Sequence, residues 1–189
     1  MATRREELAE AATDYALEHG LVGLSLRPLA EALGTSDRML LYHFGDKDSL
    51  VTAILRTSTA RSRERISALP PARDLREAVR SLWREVSTGR QQRCQRLYVE
   101  AAALGLFGQE PYASEVRDAN AGWLSALAGH FARAGLGRAA AQQAAALVDA
   151  AFMGLLLDQP LDPVARQRRT VADLADAVAA RWGQPPGSA

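Results

Sequence analysis

The chain has 189 residues, 48% of them hydrophobic and 24% charged, with a formal net charge of +1, which is ordinary for a globular protein of one or two domains. A single cysteine excludes an internal disulfide, and the charged N-terminus does not read as a signal peptide. No apolar run approaches the roughly 20 residues that a bilayer-crossing helix needs, so a cytoplasmic protein without membrane contact is expected. In chain order, residues 3 to 19 place Leu8, Ala11, Ala12, Tyr15 and Ala16 on one helical face. Glu6, Glu7, Glu10, Asp14 and Glu18 fall largely off that face, and His19-Gly20 ends the helix.

Residues 26 to 47, LRPLAEALGTSDRMLLYHFGDK, carry most of the functional content. Leu26, Leu29, Ala30 and Leu33 recur at helical spacing, Ser25 stands where an N-cap belongs, and Pro28 falls in the first turn, where its missing N–H costs little. A helix over about 26 to 33 follows. Gly34 supplies the left-handed residue at its end, and Ser36 or Asp37 can cap a second helix that restarts at once. Two helices joined so tightly must cross steeply, with small Ala30 at the crossing, Leu40 and Phe44 buried, and Arg38, Met39 and Tyr42 outward. The pattern is that of a helix-turn-helix, whose second helix enters the DNA major groove; an ordinary helical hairpin is the alternative. Gly45 then stops the second helix and Asp46 caps the next, whose Leu50, Val51, Ile54 and Leu55 continue an apolar face. This places Lys47, the only lysine among 23 basic residues, at a helix N-terminus suited to a phosphate.

Further helices are expected from Asp46 to Leu69 (before Pro70-Pro71), from Asp74 to about Thr88, and over roughly 91 to 107, 110 to 134, 138 to 158 and 163 to 182. A turn runs from Pro160 to Pro163, and residues 183 to 189 read as a disordered tail. Charge argues against a strongly basic DNA-binding surface. Residues 1 to 50 hold five basic groups, Arg4, Arg5, Arg27, Arg38 and Lys47, against nine acids, a net of minus four. Arg56, Arg61, Arg63 and Arg65 on the following helix either add a basic rim or form a plain solvated face.

The segments LAEALGTS, LLYHF and GDKDSL together resemble the TetR family of one-component transcriptional regulators over the first 55 residues. Two positions depart from the family pattern: Leu41 stands where an aromatic residue is expected, and Thr35 follows the turn glycine in place of an apolar residue. The resemblance implies an all-α fold of about nine helices. An N-terminal three-helix helix-turn-helix domain, residues 1–48, precedes a helical ligand-binding and dimerisation domain, residues 49–182. Thr35, Ser36, Arg38, Met39 and Tyr42 are then candidates for base edges, and Ser25, Arg27, Tyr42, His43 and Lys47 for phosphates. A homodimer on a palindromic double-stranded operator is implied as well. Ala144, Leu147, Val148, Ala151, Phe152, Leu155 and Leu156, with Val164, Val171, Leu174, Ala175 and Val178, offer apolar faces that either a two-chain bundle or an intrachain core can bury.

The middle helices are expected to enclose a small-molecule effector, of unknown identity, among Trp83, Leu97, Tyr98, Ala101, Leu104, Phe107, Trp123, Leu127, Phe131, Phe152 and Met153, with Glu100, His130 and Asp149 as sparse polar groups. The same aromatics also suit a plain core. Glu100 or Asp149 can meet a cationic effector, Arg93, Arg96 or a capping backbone, and His130 reads better as a satisfied structural histidine. Cys94, among Arg90, Arg93 and Arg96, is either an inert small side chain or an oxidisable thiol. No catalytic residue, metal or cofactor is expected, because His19, His43, His130 and Cys94 lack metal-ligand spacing and no nucleophile motif or phosphate-cradling glycine loop is present. A regulator that responds to no small ligand is the remaining alternative.

Overall fold

A computed structural model describes residues 3–158 and 164–183, which contain nine α-helices and no strand. They are α1 (Arg4–His19), α2 (Leu26–Ala32), α3 (Asp37–Phe44), α4 (Lys47–Ser67), α5 (Leu75–Val86), α6 (Gly89–Leu106), α7 (Tyr112–Arg133), α8 (Arg138–Asp158) and α9 (Val164–Trp182). The all-α reading holds, and each helix lies close to its expected span. The turn expected from Pro160 to Pro163 and the tail beyond Gly183 lie outside the described residues.

Local chemistry sets the helix ends. Thr3 and Glu6 form a reciprocal capping box at the start of α1, and Asp74 accepts the Glu77 amide at the start of α5. Ser36 and Asp46 cap as expected, accepting from the amides of Met39 at 3.2 Å and Ser49 at 2.7 Å. That bond to Ser49 holds the Asp46 carboxyl below its ordinary pKa. Ser25 behaves differently: it occupies the N-cap position of α2, but its hydroxyl makes no capping bond.

The chain divides into two compact units, each entered twice. The first comprises Met1–Ser62 and Arg93–Ala121. Its core joins Leu8, Ala12 and Ala16 of α1 to Leu29 and Ala30 of α2, Leu40 and Phe44 of α3, Leu50, Val51, Ile54 and Leu55 of α4, and Leu97 and Ala101 of α6. Residue 48 ends the reading unit but not this core, because four apolar residues of α4 and two of α6 complete it. On α1, Ala11 is exposed and Thr13 is buried in its place, its hydroxyl donating to the Ala9 carbonyl at 2.7 Å.

The second unit comprises Arg63–Gln92 and Gly122–Ala189. Leu75, Ala78, Val79, Leu82 and Val86 of α5 form its core with Leu127 and Phe131 of α7, Ala141, Ala144, Ala145, Val148 and Phe152 of α8, and Val171, Ala175 and Val178 of α9. Six residues expected on a dimer face (Ala144, Val148, Phe152, Val171, Ala175 and Val178) are therefore covered by their own chain. α9 packs along α5, which takes up that apolar stripe. Leu147, Leu157 and Val164 stay exposed. α8 is also, by length and composition, apolar enough to cross a membrane, which a search for uninterrupted apolar runs does not reveal because Gln142, Gln143 and Asp149 break the run. Its buried residues belong to the second core, and core helices pass the same test.

Candidate nucleic-acid interface

The interface is built on the turn between α2 and α3. Gly34 adopts a φ of 64°, its amide donates to the Glu31 carbonyl at 3.1 Å, and the Thr35 amide reaches back to Ala30 at 2.9 Å. These two bonds form a Schellman closure, which satisfies carbonyls at the end of α2 and lets α3 restart at Asp37. Leu40 is wholly buried and Phe44 nearly so, which fixes the roll of α3 and turns Arg38, Met39, Leu41 and Tyr42 to solvent. Tyr42 is 79% exposed, the most open aromatic side chain of the reading unit.

Of the sequence candidates, Ser25, Arg27, Ser36, Arg38, Met39, Tyr42 and Lys47 are exposed, while Thr35 and His43 are half-buried. The Ser36 hydroxyl already accepts the Met39 amide, so what it retains for a groove is its O–H donor. The His43 ring meets Tyr42 edge-on at 5.2 Å. Lys47 opens α4 and has no ion-pair partner among the described residues, so its charge remains available, whereas the Ser49 amide of the same turn is taken by Asp46.

Three contacts hold this surface in place; of these, the sequence offers only the capping-backbone role of Glu100, without its partners. Arg5 of α1 donates from Nε to the His43 carbonyl at 3.2 Å and lies over the Phe44 ring at 5.1 Å, capping the end of α3. Glu100 of α6 accepts the amides of Leu21 at 2.6 Å and Val22 at 3.0 Å, just after Gly20, in the connection between α1 and α2. Arg61 of α4 pairs with Glu10 and with Asp14 at 2.6 Å, so part of the acidity of α1 is neutralised internally. Among the α4 arginines, Arg56, Arg61 and Arg65 pair with carboxylates, whereas Arg63 is exposed. Arg56 makes a bidentate bridge to buried Glu115 at 2.9 and 2.8 Å, and Arg65 bonds Glu85 at 2.5 Å.

With this geometry in view, the known relatives are informative. The family described as "Bacterial regulatory proteins, tetR family" matches residues 8–54, a span that runs from α1 through the reading unit into α4. Residues 8–54 are thus similar to the TetR-family regulators. The HTH-type transcriptional repressor AcnR of Corynebacterium efficiens is 41% identical over 63 residues, 33% of this chain and 34% of that protein. The match thus spans about a third of the curated relative. A transcriptional regulator from Rhodococcus superposes along nearly the full length, with a TM-score of 0.77 and 25% identity, covering 97% of this chain and 100% of the other. Salmonella enterica GusR shares the fold, with a TM-score of 0.70 and 21% identity over 95% of each chain. Similarity in sequence is thus concentrated in the reading unit, whereas similarity in fold extends along nearly the whole chain.

The candidate effector residues fall in different units. Leu97, Tyr98, Glu100, Ala101, Leu104 and Phe107 belong to the first. Leu97 and Ala101 are core, Glu100 is engaged by the Leu21 and Val22 amides, and Phe107 is 83% exposed. Trp83, Trp123, Leu127, His130, Phe131, Asp149, Phe152 and Met153 belong to the second. Leu127 and Phe131 are fully buried there. His130 is also buried, with Nε2 3.1 Å from the Ser81 hydroxyl and Nδ1 3.4 Å from Arg133 Nη2. Since a guanidinium only donates, Nδ1 is the acceptor, Nε2–H donates to Ser81, and Ser81 donates to the Ala78 carbonyl. Burial first, then the Arg133 charge, holds the imidazole below its usual pKa. Cys94 is buried in the first unit.

Proposed function

We propose that the chain is a homodimeric, sequence-specific DNA-binding repressor that leaves a palindromic operator when a small hydrophobic ligand binds. The observation that carries this reading is the α2–α3 unit, in which buried Leu40 and Phe44 present Arg38, Met39 and Tyr42 as one exposed face beside Lys47, which has no ion-pair partner among the described residues. An α-helix with such a face fits the major groove, with Thr35, Ser36, Arg38, Met39 and Tyr42 directed at base edges. Ser25, Arg27, Tyr42, His43 and Lys47 take the phosphates.

Dimerisation is supported by what the second core leaves uncovered. On α8, Leu147, Ala150, Gly154 and Leu157 are exposed at alternating three- and four-residue spacing, and Gly154 has open space at its Cβ position. Small residues between two leucines let a symmetry-related helix approach closely, so a two-fold bundle buries this stripe. Two reading helices then require half-sites roughly 34–36 Å apart, or a multiple of that. The ligand acts by favouring a dimer whose reading helices no longer match that spacing, and by linkage the operator weakens ligand binding by the same factor.

Titration of the purified protein against DNA upstream of its own gene, with and without a set of hydrophobic compounds, tests the reading. Specific binding to a palindrome that some compound relieves is the expected result; absence of specific binding removes the proposal. Specific binding indifferent to every compound leaves a repressor without a small ligand. Two substitutions separate the roles of the surface groups. Lys47→Ala is expected to weaken binding evenly across DNA sequences and to reduce the salt slope by about one. Arg38→Ala is expected to cost about 1–3 kcal/mol at the cognate site and to relax preference at one base pair, leaving the salt slope nearly as it was. Equal effects of both variants on cognate and random DNA would show that Arg38 reads no base.

A further inference from the structure

Asp149 is the one ionisable group among the expected effector contacts that the fold leaves half satisfied. It lies on α8 in the second unit, half-buried, and its Oδ1 accepts the indole N–H of Trp123 from α7 at 2.7 Å. No guanidinium or ammonium group pairs with it among the described residues. One turn further along α8, Phe152 meets Trp83 of α5 edge-on, with centroids 5.1 Å apart. Three helices thus gather a carboxylate and three aromatic rings, and Trp83, Trp123 and Asp149 all retain partial solvent exposure.

That combination is costly for an empty structural site. A carboxylate withdrawn from water is normally matched by a cation or several amide donors, as Glu115 is by Arg56 and Glu100 by two amides. Asp149 has one neutral donor, which orients its charge without cancelling it. Burial accordingly raises its pKa, and the Trp123 bond opposes that rise only in part. Aromatic faces beside an uncompensated carboxylate are complementary to a bulky, weakly hydrated positive charge. A neutral apolar ligand would desolvate the carboxylate further without pairing it, and an anion would be repelled.

We propose that Asp149, oriented by Trp123 and flanked by Trp83 and Phe152, binds an organic cation, with a quaternary or delocalised positive charge on an apolar frame. This rests on the reading of the second unit as the effector-binding part of a repressor, whose ligand class it specifies.

The test uses the full chain, without DNA, and two ions of nearly the same shape and opposite charge, tetraphenylphosphonium and tetraphenylborate, together with the smaller benzyltrimethylammonium. Calorimetric titration is expected to show binding of at least one of the cations and much weaker binding of the borate. Asp149→Asn keeps the acceptor for Trp123 and is expected to weaken the cation by about tenfold or more while narrowing the gap to the borate. Binding of neither cation, borate binding as tight as tetraphenylphosphonium, or undiminished cation binding by Asp149→Asn would overturn the proposal. The comparison of the two tetraphenyl ions needs no variant, so it stands even if Asp149→Asn folds poorly. Adding operator DNA then separates this inference from the parent reading: a cation that binds through Asp149 but never releases DNA leaves the site intact and removes its role as an effector site.

Discussion

Gly20→Ala is expected to destabilise the first unit by several kcal/mol and to weaken DNA binding with it. Gly20 has φ 84° and ψ 176°, a region that residues with a side chain enter only at a cost of about 1–3 kcal/mol. Space is short as well as torsion. A Cβ there would lie 2.9 Å from both carboxylate oxygens of Glu100, which therefore has to move. One of those oxygens holds the Leu21 and Val22 amides, and hydrogen bonds to a charged group contribute about 1.5–3 kcal/mol each. Against a total domain stability of about 5–15 kcal/mol, the sum is large. Urea melts of the wild type, Gly20→Ala, Glu100→Ala and the double variant separate the causes. Because Glu100→Ala already removes both bonds and the clash, the double variant is expected to lose less than the two single variants added together. A Gly20→Ala protein within about 0.5 kcal/mol of wild type, the range typical of neutral surface changes, would sink this account.

Leu40→Ala and Leu41→Ala, neighbours on the reading helix, are expected to differ sharply. Leu40 is at 0% exposure in the first core, and a leucine-to-alanine change at such a site costs about 2–5 kcal/mol, part of it for the cavity left behind. Leu41 is 38% exposed and belongs to neither core, so its truncation should shift stability by no more than about 0.5 kcal/mol. The DNA-binding consequences differ in kind. Leu40→Ala loosens the seating of α3 and lowers affinity for cognate and random DNA together. Leu41→Ala leaves the fold intact, so any loss it causes is a loss of contact at the operator. Thermal melts alongside DNA titrations decide the matter, and a Leu40→Ala protein melting with the wild type would mean that α3 is seated by other residues.

Much of this architecture is legible in the sequence, because helix ends are written in local chemistry. Pro28, Gly34, Ser36, Gly45 and Asp46 delimit α2, α3 and the start of α4, and a 3.6-residue rhythm picks out Leu29, Ala30, Leu40 and Phe44 as buried. What is illegible involves pairing across long separations. Nothing local states that Arg61 will meet Glu10, 51 residues away, or that Glu100 will hold an amide 79 residues earlier. The same limit explains the reassignment of α8. Its alanine- and leucine-rich surface is apolar over so wide an arc that periodicity cannot tell which side faces α5 and α9 in its own chain. At the effector candidates, composition offers aromatic and acidic residues by type alone. It does not distinguish Glu100, with two amide donors, from Asp149, with a single indole.

The double entry of the chain into its first core bears on how this protein can be dissected and recombined. A fragment cut at residue 48 keeps every candidate DNA contact yet loses Leu50, Val51, Ile54, Leu55, Leu97 and Ala101, and with them the Glu100 carboxylate that caps the connection after α1. The reading head is therefore not a detachable cassette. A chimaera that grafts it onto another helical domain must carry α4 through Ser62 and bring a compatible segment spanning 93–121, so that the reading unit and its α6 support are inherited together rather than exchanged piecemeal.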